Sequence, residues 1–378
     1  MKTKLWMLGM AVAALTSCTQ SEVVDIPESR LIKFDTHVDK ASRVAYTIEQ
    51  AGAKAPTTKD NLYQFWVLGY NNNDLFFNGT DASAKVYWDT QLKGFTYANH
   101  KTWDLGHTFN FAAYSNGNQP LVGTDISEET IVNTYDENKV KYELVNEGSK
   151  LTITDYTVGE QDLLAAIVAP ATPTSDAHID DVSFTFQHLL SCVKFTIKNN
   201  SNEYYLRIND ITLNAIKTQT CEYSIAADST KTIVWNGTGH NGDYTFKSFV
   251  PIVNNINGNT PNTNDTTYLA PAQEMNMLCF VIPQNNQSLS TNITVKTYKK
   301  LGDNSYNETT TGNQNLSANL KIDTSKLSGH GSWKPGYVYN YSAELTGSAH
   351  YIHFTVDNVD DWTNQNAGTI ISTSGQNL

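Results

Sequence analysis

The chain has 378 residues and a formal net charge of −12, and charged residues make up only 17% of it. Binding to nucleic-acid phosphates needs a basic stripe, and the sequence contains none, which excludes a nucleic-acid-binding role. Thr, Asn, Ser and Tyr supply much of the polarity, which favours β-strands and turns over long exposed helices.

The amino terminus predicts export and lipid attachment. Lys2 and Lys4 precede an apolar stretch, residues 5–15, which is typical of a secretory signal and too short to cross a bilayer as a helix. The letters LTSC at residues 15–18 resemble a bacterial lipobox, so residues 1–17 are predicted to be a lipoprotein signal peptide and Cys18 to be acylated. An ordinary cleaved signal is the alternative. Residues 18–30 are then a lipidated tether that holds the protein at the outer membrane.

Alternation with a period of two predicts β-strands along most of the remaining chain. In the first of these, Ile32, Phe34 and Val38 lie on one face. The same alternation recurs at residues 86–88, 109–111, 140–144, 182–186, 193–197, 206–208 and 337–343. Residues 162–170, DLLAAIVAP, are almost continuously apolar, which predicts a strand covered on both faces. Two segments, residues 126–135 and 318–327, are predicted to form short helices.

Proline and polar residues divide the chain into two predicted domains. Pro170, Pro173 and the polar residues up to 181 are typical of a connection between domains. We therefore predict an amino-terminal β-sandwich over residues 31–178 and a carboxy-terminal β-sandwich over residues 179–378.

The sequence contains no motif of a known enzyme class, such as HExxH, GxSxG, CxxC or a phosphate-binding glycine loop. His350 and His353 would face opposite sides of a strand and could not readily share a metal ion. Asp357, Asp360 and Asp361 lie in a predicted turn that lacks the glycine and spacing of a calcium loop. We therefore predict a protein that is not an enzyme, with no catalytic residue, no metal site and no cofactor.

Tryptophans and cysteines are predicted to pack in the hydrophobic core. Trp66, Trp88 and Trp103 lie in strand-like contexts, which favours packing over carbohydrate binding. Three cysteines remain besides Cys18, namely Cys192, Cys221 and Cys279. An odd number excludes a full disulfide framework, although one pair is possible, and each lies beside apolar strand residues as a buried thiol would.

Six sequence strings together resemble the fimbrillin family of type V pilins. They are FWVLGY at residues 65–70, TFNFAAYS at 108–115, DLLAAIVA at 162–169, VSFTFQHLLSCVKFTIKN at 182–199, WKPGYVYNYSAEL at 333–345 and IHFTVDNVDDW at 352–362. They occur in the expected order over nearly the whole chain. The resemblance implies an all-β fold of two tandem transthyretin-like β-sandwich domains, in agreement with the alternation.

The resemblance also implies a maturation step. In this family a trypsin-like, arginine-specific protease removes the lipid, the tether and the first strand, and a strand from a neighbouring subunit then fills the vacated groove. The matching cut site is Arg43, with Arg30 as a second candidate, and the strand removed is Leu31 to Val38. Ile370 and Ile371 mark the candidate donor strand, unless that segment is an ordinary final strand of its own domain.

The sequence therefore predicts a structural subunit, or a minor subunit at the tip or anchor, of a cell-surface pilus (fimbria) that supports adhesion. Its partners would be other pilus subunits, of its own or a related kind, bound by β-strand donation. The alternative is a monomeric surface lipoprotein that binds a glycan or a host ligand.

Overall fold

The computed structural model describes residues 30–38, 62, 64–79, 81–89, 91–115, 139–145, 148–159, 162–175, 179–248, 269–284, 288–301, 306–308, 314–321, 332–345 and 355–361. These residues form β-strands and a single 3₁₀ turn at Ala82–Ala84, so the predicted all-β class is confirmed. Among them, no helix is long and apolar enough to cross a membrane.

Twenty strands are present in the described part of the chain. In chain order they are β1 (Phe34–Val38), β2 (Gln64–Asn71), β3 (Asp74–Phe77), β4 (Lys85–Asp89), β5 (Gly94–Thr96), β6 (Phe109–Ser115), β7 (Val140–Val145), β8 (Gly148–Thr157), β9 (Leu164–Ala171), β10 (Val182–His188), β11 (Ser191–Asn199), β12 (Tyr204–Ala226), β13 (Lys231–Thr245), β14 (Lys247–Ser248), β15 (Glu274–Val281), β16 (Ser288–Lys300), β17 (Tyr306–Glu308), β18 (Gln314–Lys321), β19 (Tyr337–Leu345) and β20 (Thr355–Asp361).

The first sheet has eight strands in the order β1-β10-β9-β6-β2-β4-β5, with β3 added beside β2. Strand β1 therefore lies at the end of this order, and it runs parallel to β10. The other pairs in this sheet are antiparallel. Strand β10 shows the alternation expected of its sequence, because Val182, Phe184 and Phe186 are all buried on one face.

The central strands of the first sheet are covered on both of their faces. Leu164 and Ala166 of β9 face an aromatic core that also contains residues of β1, β6 and β10. Ala165 and Ile167 face a larger core, which is shared with strands of the other two sheets. The apolar run is thereby explained, and the predicted double-sided burial is confirmed for residues 164–167, whereas Ala169 and Pro170 at its end are exposed.

The remaining strands form two further sheets around the larger core. A five-stranded sheet has the order β14-β15-β11-β19-β20, in which β11 pairs antiparallel with β15 and parallel with β19. A seven-stranded sheet has the order β17-β16-β12-β8-β7, with β13 beside β12 and β18 beside β16. Their facing sides enclose the larger core in a sandwich-like arrangement.

Two predictions about local structure are affected by these pairings. The predicted helix at 318–327 is wrong over residues 318–321, because they lie in β18 and pair antiparallel with β16, from Ser288 opposite Lys321 onward. Pairing with a neighbouring strand satisfies the same backbone groups that a helix would, so local propensity did not decide the outcome. The other predicted helix, at 126–135, lies outside the described residues.

The division between the sheets does not follow residue 178. Strand β10, which lies after that residue, belongs to the first sheet beside β1 and β9. Strands β7 and β8, which lie before it, pair with β12 in the seven-stranded sheet. The division into two domains at this residue stays a prediction, but strands from each side of it are built into sheets with strands from the other.

Candidate functional site

Strand β1 is held by backbone pairing along one edge to β10. Phe34 lies opposite Val182 and Val38 lies opposite Phe186, in parallel register. The N–H of Val182 also donates to the carbonyl of Lys33 at 2.8 Å. These pairs fix the position of β1 along the first sheet.

Residues 30–32, which precede β1, pair with a second piece of chain, residues 101–103, which we call the clamp segment. We call residues 31–38 together the first strand. The N–H of Ile32 donates to the carbonyl of Lys101, and the N–H of Trp103 donates to the carbonyl of Arg30, both at 2.9 Å. The first strand is thus inserted between two segments that are remote in sequence. Its leading residues pair with one of them and its later residues pair with the other.

Tyr97 adds a side-chain contact to the backbone of the first strand. Its hydroxyl donates to the carbonyl of Ile32 at 2.7 Å and accepts from the N–H of Lys101 at 3.2 Å. Burial raises the pKa of Tyr97 to about 12, and the bond from Lys101 opposes this rise. The hydroxyl therefore remains protonated, and able to donate, at any physiological pH.

The side chains of the first strand alternate between the core and solvent. Ile32 and Phe34 are 1% and 5% exposed, whereas Lys33, Asp35 and His37 are exposed. The Phe34 ring lies among five aromatic rings, with centroid distances between 5.3 and 6.4 Å: Phe65, Phe77, Tyr97, Phe111 and Phe184. Burial of Ile32 and Phe34 contributes about 1.5–3 kcal/mol for each side chain.

The clamp segment is anchored to the first sheet through its own side chains. The Lys101 ammonium contacts the carbonyl of Phe76 and lies 4.7 and 4.8 Å from the ring centroids of Phe76 and Phe77. Burial lowers the pKa of Lys101. Trp103 is buried and meets Phe109 edge to face at 4.8 Å. These contacts do not involve β1, so they can hold the clamp segment in place when β1 is absent.

Removal of the amino-terminal residues up to Val38 would leave a groove, which we call the acceptor groove. Its two sides would be the edge of β10 and the clamp segment, and both would present unpaired backbone groups. Its floor would be the five rings that surround Phe34. An extended strand is the structure that satisfies a row of unpaired backbone groups and an apolar cavity at the same time.

The structure brings together some of the predicted site residues. Leu31 forms an antiparallel bridge with Thr102, and Ile32, Phe34 and Val38 occupy paired positions on the first strand. Arg30 is also described, with its carbonyl bonded to the clamp segment. Four other predicted residues lie outside the described part of the chain: Cys18, Arg43, Ile370 and Ile371.

The clamp segment and Tyr97 were missed by sequence reasoning. Trp103 was assigned to core packing, which its burial confirms, but its backbone contact with Arg30 was not foreseen. One feature of the sequence could have drawn attention to this segment: the aromatic residues Tyr97 and Trp103 flank the mostly polar letters ANHKT. That pattern does not indicate that the segment pairs with the first strand.

Cys192, Cys221 and Cys279 are buried, as predicted, and none of these three forms a disulfide. Cys192 lies opposite Phe280 and Cys279 lies opposite Val193 in the same strand pair, so the two thiols point to opposite faces of one sheet. Cys221 belongs to β12 in another sheet, and burial raises the pKa of its thiol. The strand pairing therefore keeps Cys192 and Cys279 from forming a disulfide with each other.

Tryptophan packing also follows the prediction. Trp333 is buried, and its indole N–H donates to the Tyr341 hydroxyl at 3.1 Å. Trp66 is partly buried against the larger core, and Trp88 meets Phe95 edge to face. Each of these rings contacts protein, as expected for residues that serve packing.

Acidic and histidine side chains do not form a metal site in the part of the chain that is described. No group of three or more His, Cys, Asp or Glu residues there could hold an ion. The turn predicted at residues 357–361 is wrong, because they lie in β20, which pairs with β19. His350 and His353 lie outside the described residues.

The Asp162 carboxylate and His188 Nδ1 form a buried pair at 2.7 Å, which joins the residues just before β9 to the end of β10.

Comparison with known proteins identifies the family. A family model described as Fimbrillin-like matches residues 53–362, most of the chain. A search of curated protein sequences found no match. A solved fimbrial protein from Bacteroides vulgatus is 14% identical with a TM-score of 0.45, and the match covers 88% of this chain and 100% of that one. For the fimbrial anchor protein Mfa2 from Porphyromonas gingivalis the identity is 8%, the TM-score 0.29 and the coverage 83% and 90%.

The family model carries the assignment, and the two structures, at such low identity and TM-score, carry none of it. The resemblance seen in the sequence is thereby confirmed. The chain belongs to the fimbrillin-like family and is a pilus-type protein of the cell surface.

Proposed function

We propose that the chain is a structural subunit, or a minor subunit at the tip or anchor, of a cell-surface pilus and that its role is not enzymatic. In this proposal β1 leaves during maturation, and the acceptor groove then binds a strand from another subunit. The observation that supports it is the position of residues 30–38. Residues 30–32 pair with the clamp segment, β1 pairs with β10, and Phe34 fills an aromatic cavity. If a strand with these contacts leaves, it exposes a groove that matches the shape of an extended strand.

The energetics favour replacement of β1 over an empty groove. An empty groove leaves backbone donors and acceptors of β10 unpaired and exposes the rings around Phe34. A second strand with suitable side chains would restore both the hydrogen bonds and the apolar burial. The intact precursor, whose groove is already filled, would remain monomeric.

The position of the cut decides whether β1 can leave. A cut after Arg30 would separate the tether but leave β1 joined to the rest of the chain, because β1 follows that residue. A cut after Arg43 lies between β1 and β2 and would free β1 from the body of the protein. We therefore propose Arg43 as the productive site and Arg30 as an optional one.

Arginine is scarce in this chain, which suits an arginine-specific protease as the partner. The sequence contains arginine at only three positions, 30, 43 and 207. Arg207 lies within β12, opposite Lys296 of β16, where the backbone is paired. Proteases need an exposed, flexible segment, so a paired strand resists cleavage. Digestion at arginine would thus remove the amino-terminal region and leave the remaining fold intact.

Lipid attachment supplies the first location of the precursor. Acylation of Cys18 would hold it at the outer membrane through residues 18–30, and cleavage after Arg43 would release the subunit from that anchor. The released subunit would join other subunits in the fimbria and support adhesion. Residues 369–373, with Ile370 and Ile371, are the candidate donor segment within this sequence.

Blocking the cut tests the proposal. The variant Arg43→Ala should abolish the heat-resistant, high-molecular-weight ladders that strand-linked subunits form on a gel, and its subunits should keep the amino-terminal region. Lys40→Ala, in the same segment between β1 and β2, is the matched control and should assemble normally. Ladders formed by an Arg30→Ala, Arg43→Ala double variant would show that assembly does not need this cleavage.

A further inference from the structure

The aromatic cavity at Phe34 limits which strand can fill the acceptor groove. Resting on the proposed function, we infer that the groove selects a strand with an aliphatic residue followed two positions later by an aromatic one. We further infer that this strand comes from a different subunit and not from residues 369–373 of a second copy of this chain.

The first part of the inference follows from the surroundings of Phe34. Its ring stacks on Phe184, with 26° between the planes, and meets Phe65, Phe77 and Phe111 at steep angles between 73° and 85°. Rings in these orientations make favourable contacts that an aliphatic side chain lacks. A smaller side chain in this cavity would leave empty volume, because protein cores are close-packed and relax only in part.

The spacing follows from the alternation of the first strand. Ile32 and Phe34 are buried, and Lys33 between them is exposed. Tyr97 bonds the backbone carbonyl of Ile32, so it places no demand on the side chain there. The side-chain selection therefore rests on two buried positions separated by one exposed residue.

The candidate donor segment of this chain does not carry that pattern. Ile370 and Ile371 are adjacent, so in an extended strand they point to opposite faces and only one can enter the groove. Two residues after them stand Ser372 and Thr373, and residues 363–378 include no Phe, Tyr or Trp. A second copy that offered this segment would leave the aromatic cavity unfilled.

Peptide exchange into the cleaved protein tests the inference. The purified full chain is cut by an arginine-specific protease, and labelled peptides are offered in urea below the unfolding transition so that the bound segment can exchange. The first peptide is residues 31–38, the strand that fills the groove. The others are residues 366–376 unchanged, with Ser372→Phe, and with Ser374→Phe. The Ser372→Phe change places an aromatic residue two positions after Ile370, whereas Ser374→Phe has the same composition with the wrong spacing.

The expected order of affinity separates this inference from the proposed function. Residues 31–38 should bind, and the Ser372→Phe peptide should bind at least about tenfold more tightly than both the unchanged and the Ser374→Phe peptides. If the unchanged or the Ser374→Phe peptide binds as tightly as the Ser372→Phe peptide, the selection rule is overturned. Strand exchange itself would survive that result. If residues 31–38 themselves fail to bind, the acceptor groove does not take up strands and the proposed function fails as well.

Discussion

Truncation of Phe34 is the perturbation that most directly measures how strongly β1 is held. Replacement of a buried Phe by Ala costs about 3–5 kcal/mol, because the apolar transfer free energy is lost and a cavity remains. The Phe34 ring is 5% exposed and surrounded by five rings, so little relaxation can close that cavity. We therefore expect Phe34→Ala to lower the free energy of unfolding of the precursor by about 3–5 kcal/mol.

Equilibrium urea unfolding of the uncleaved precursor measures this change. His37→Ala is the matched control, because His37 lies on the same strand with its side chain exposed, and a surface substitution should change the free energy by less than about 0.5 kcal/mol. A second readout is digestion by an arginine-specific protease, after which the Phe34→Ala protein should lose residues 31–43 faster than the control. A Phe34→Ala protein as stable as the His37→Ala protein would refute the reasoning that this ring holds β1 in place.

Other contacts give further predictions. Asp162→Ala should lower the free energy of unfolding by about 1–3 kcal/mol, measured by urea denaturation, because it removes the buried hydrogen bond to His188 Nδ1, whereas a double change of both residues to Leu should lower it less. Tyr97→Phe should cost about 0.5–1.5 kcal/mol through loss of the bond to Ile32. The same variant should lose less stability between pH 10 and about 12, where unfolded Tyr97 releases its proton and folded Tyr97 does not. Cys221 and the other buried thiols should react with a thiol reagent only after unfolding, and rapid reaction of the folded protein would contradict their burial.

Period-two alternation was enough to predict which faces of the strands are buried. Ile32 and Phe34 are buried as expected, and the continuous run at residues 164–167 is covered on both faces. These outcomes follow from the strand geometry itself, because the side chains of a strand alternate whatever its neighbours are. The sequence thus predicted the fold class and the contents of the first strand.

Strand partners could not be predicted in the same way. Nothing in the letters around Phe34 indicates that its strand runs parallel to β10, a segment remote in sequence. Residues 318–321 and 357–361 were assigned to a helix and a turn, but both lie in strands paired with β16 and β19. Pairing depends on backbone groups, which are the same for every residue type, so a single sequence contains little information about it.

The acceptor groove contains one part that could be predicted from sequence and one part that could not. Apolar alternation predicted that its occupant is a strand, and the family resemblance implied that this strand is exchanged. Tyr97 and the clamp segment, which hold the backbone of that strand, were not predicted. Lys101 and Trp103 are separated from Ile32 by about seventy residues of sequence, and only the folded chain brings them together. Recognition of a strand by its backbone leaves no pattern in the side chains.

The amino-terminal residue of the subunits in surface polymers tests the account most directly. Purified polymers can be dissociated and the subunits analysed by mass spectrometry. We expect the subunits to begin at Val44 and residues 31–38 to be absent from the polymer in any form. Subunits that begin at Cys18, or polymers that still contain residues 31–38 as a bound peptide, would contradict the replacement of β1 by a strand from another chain.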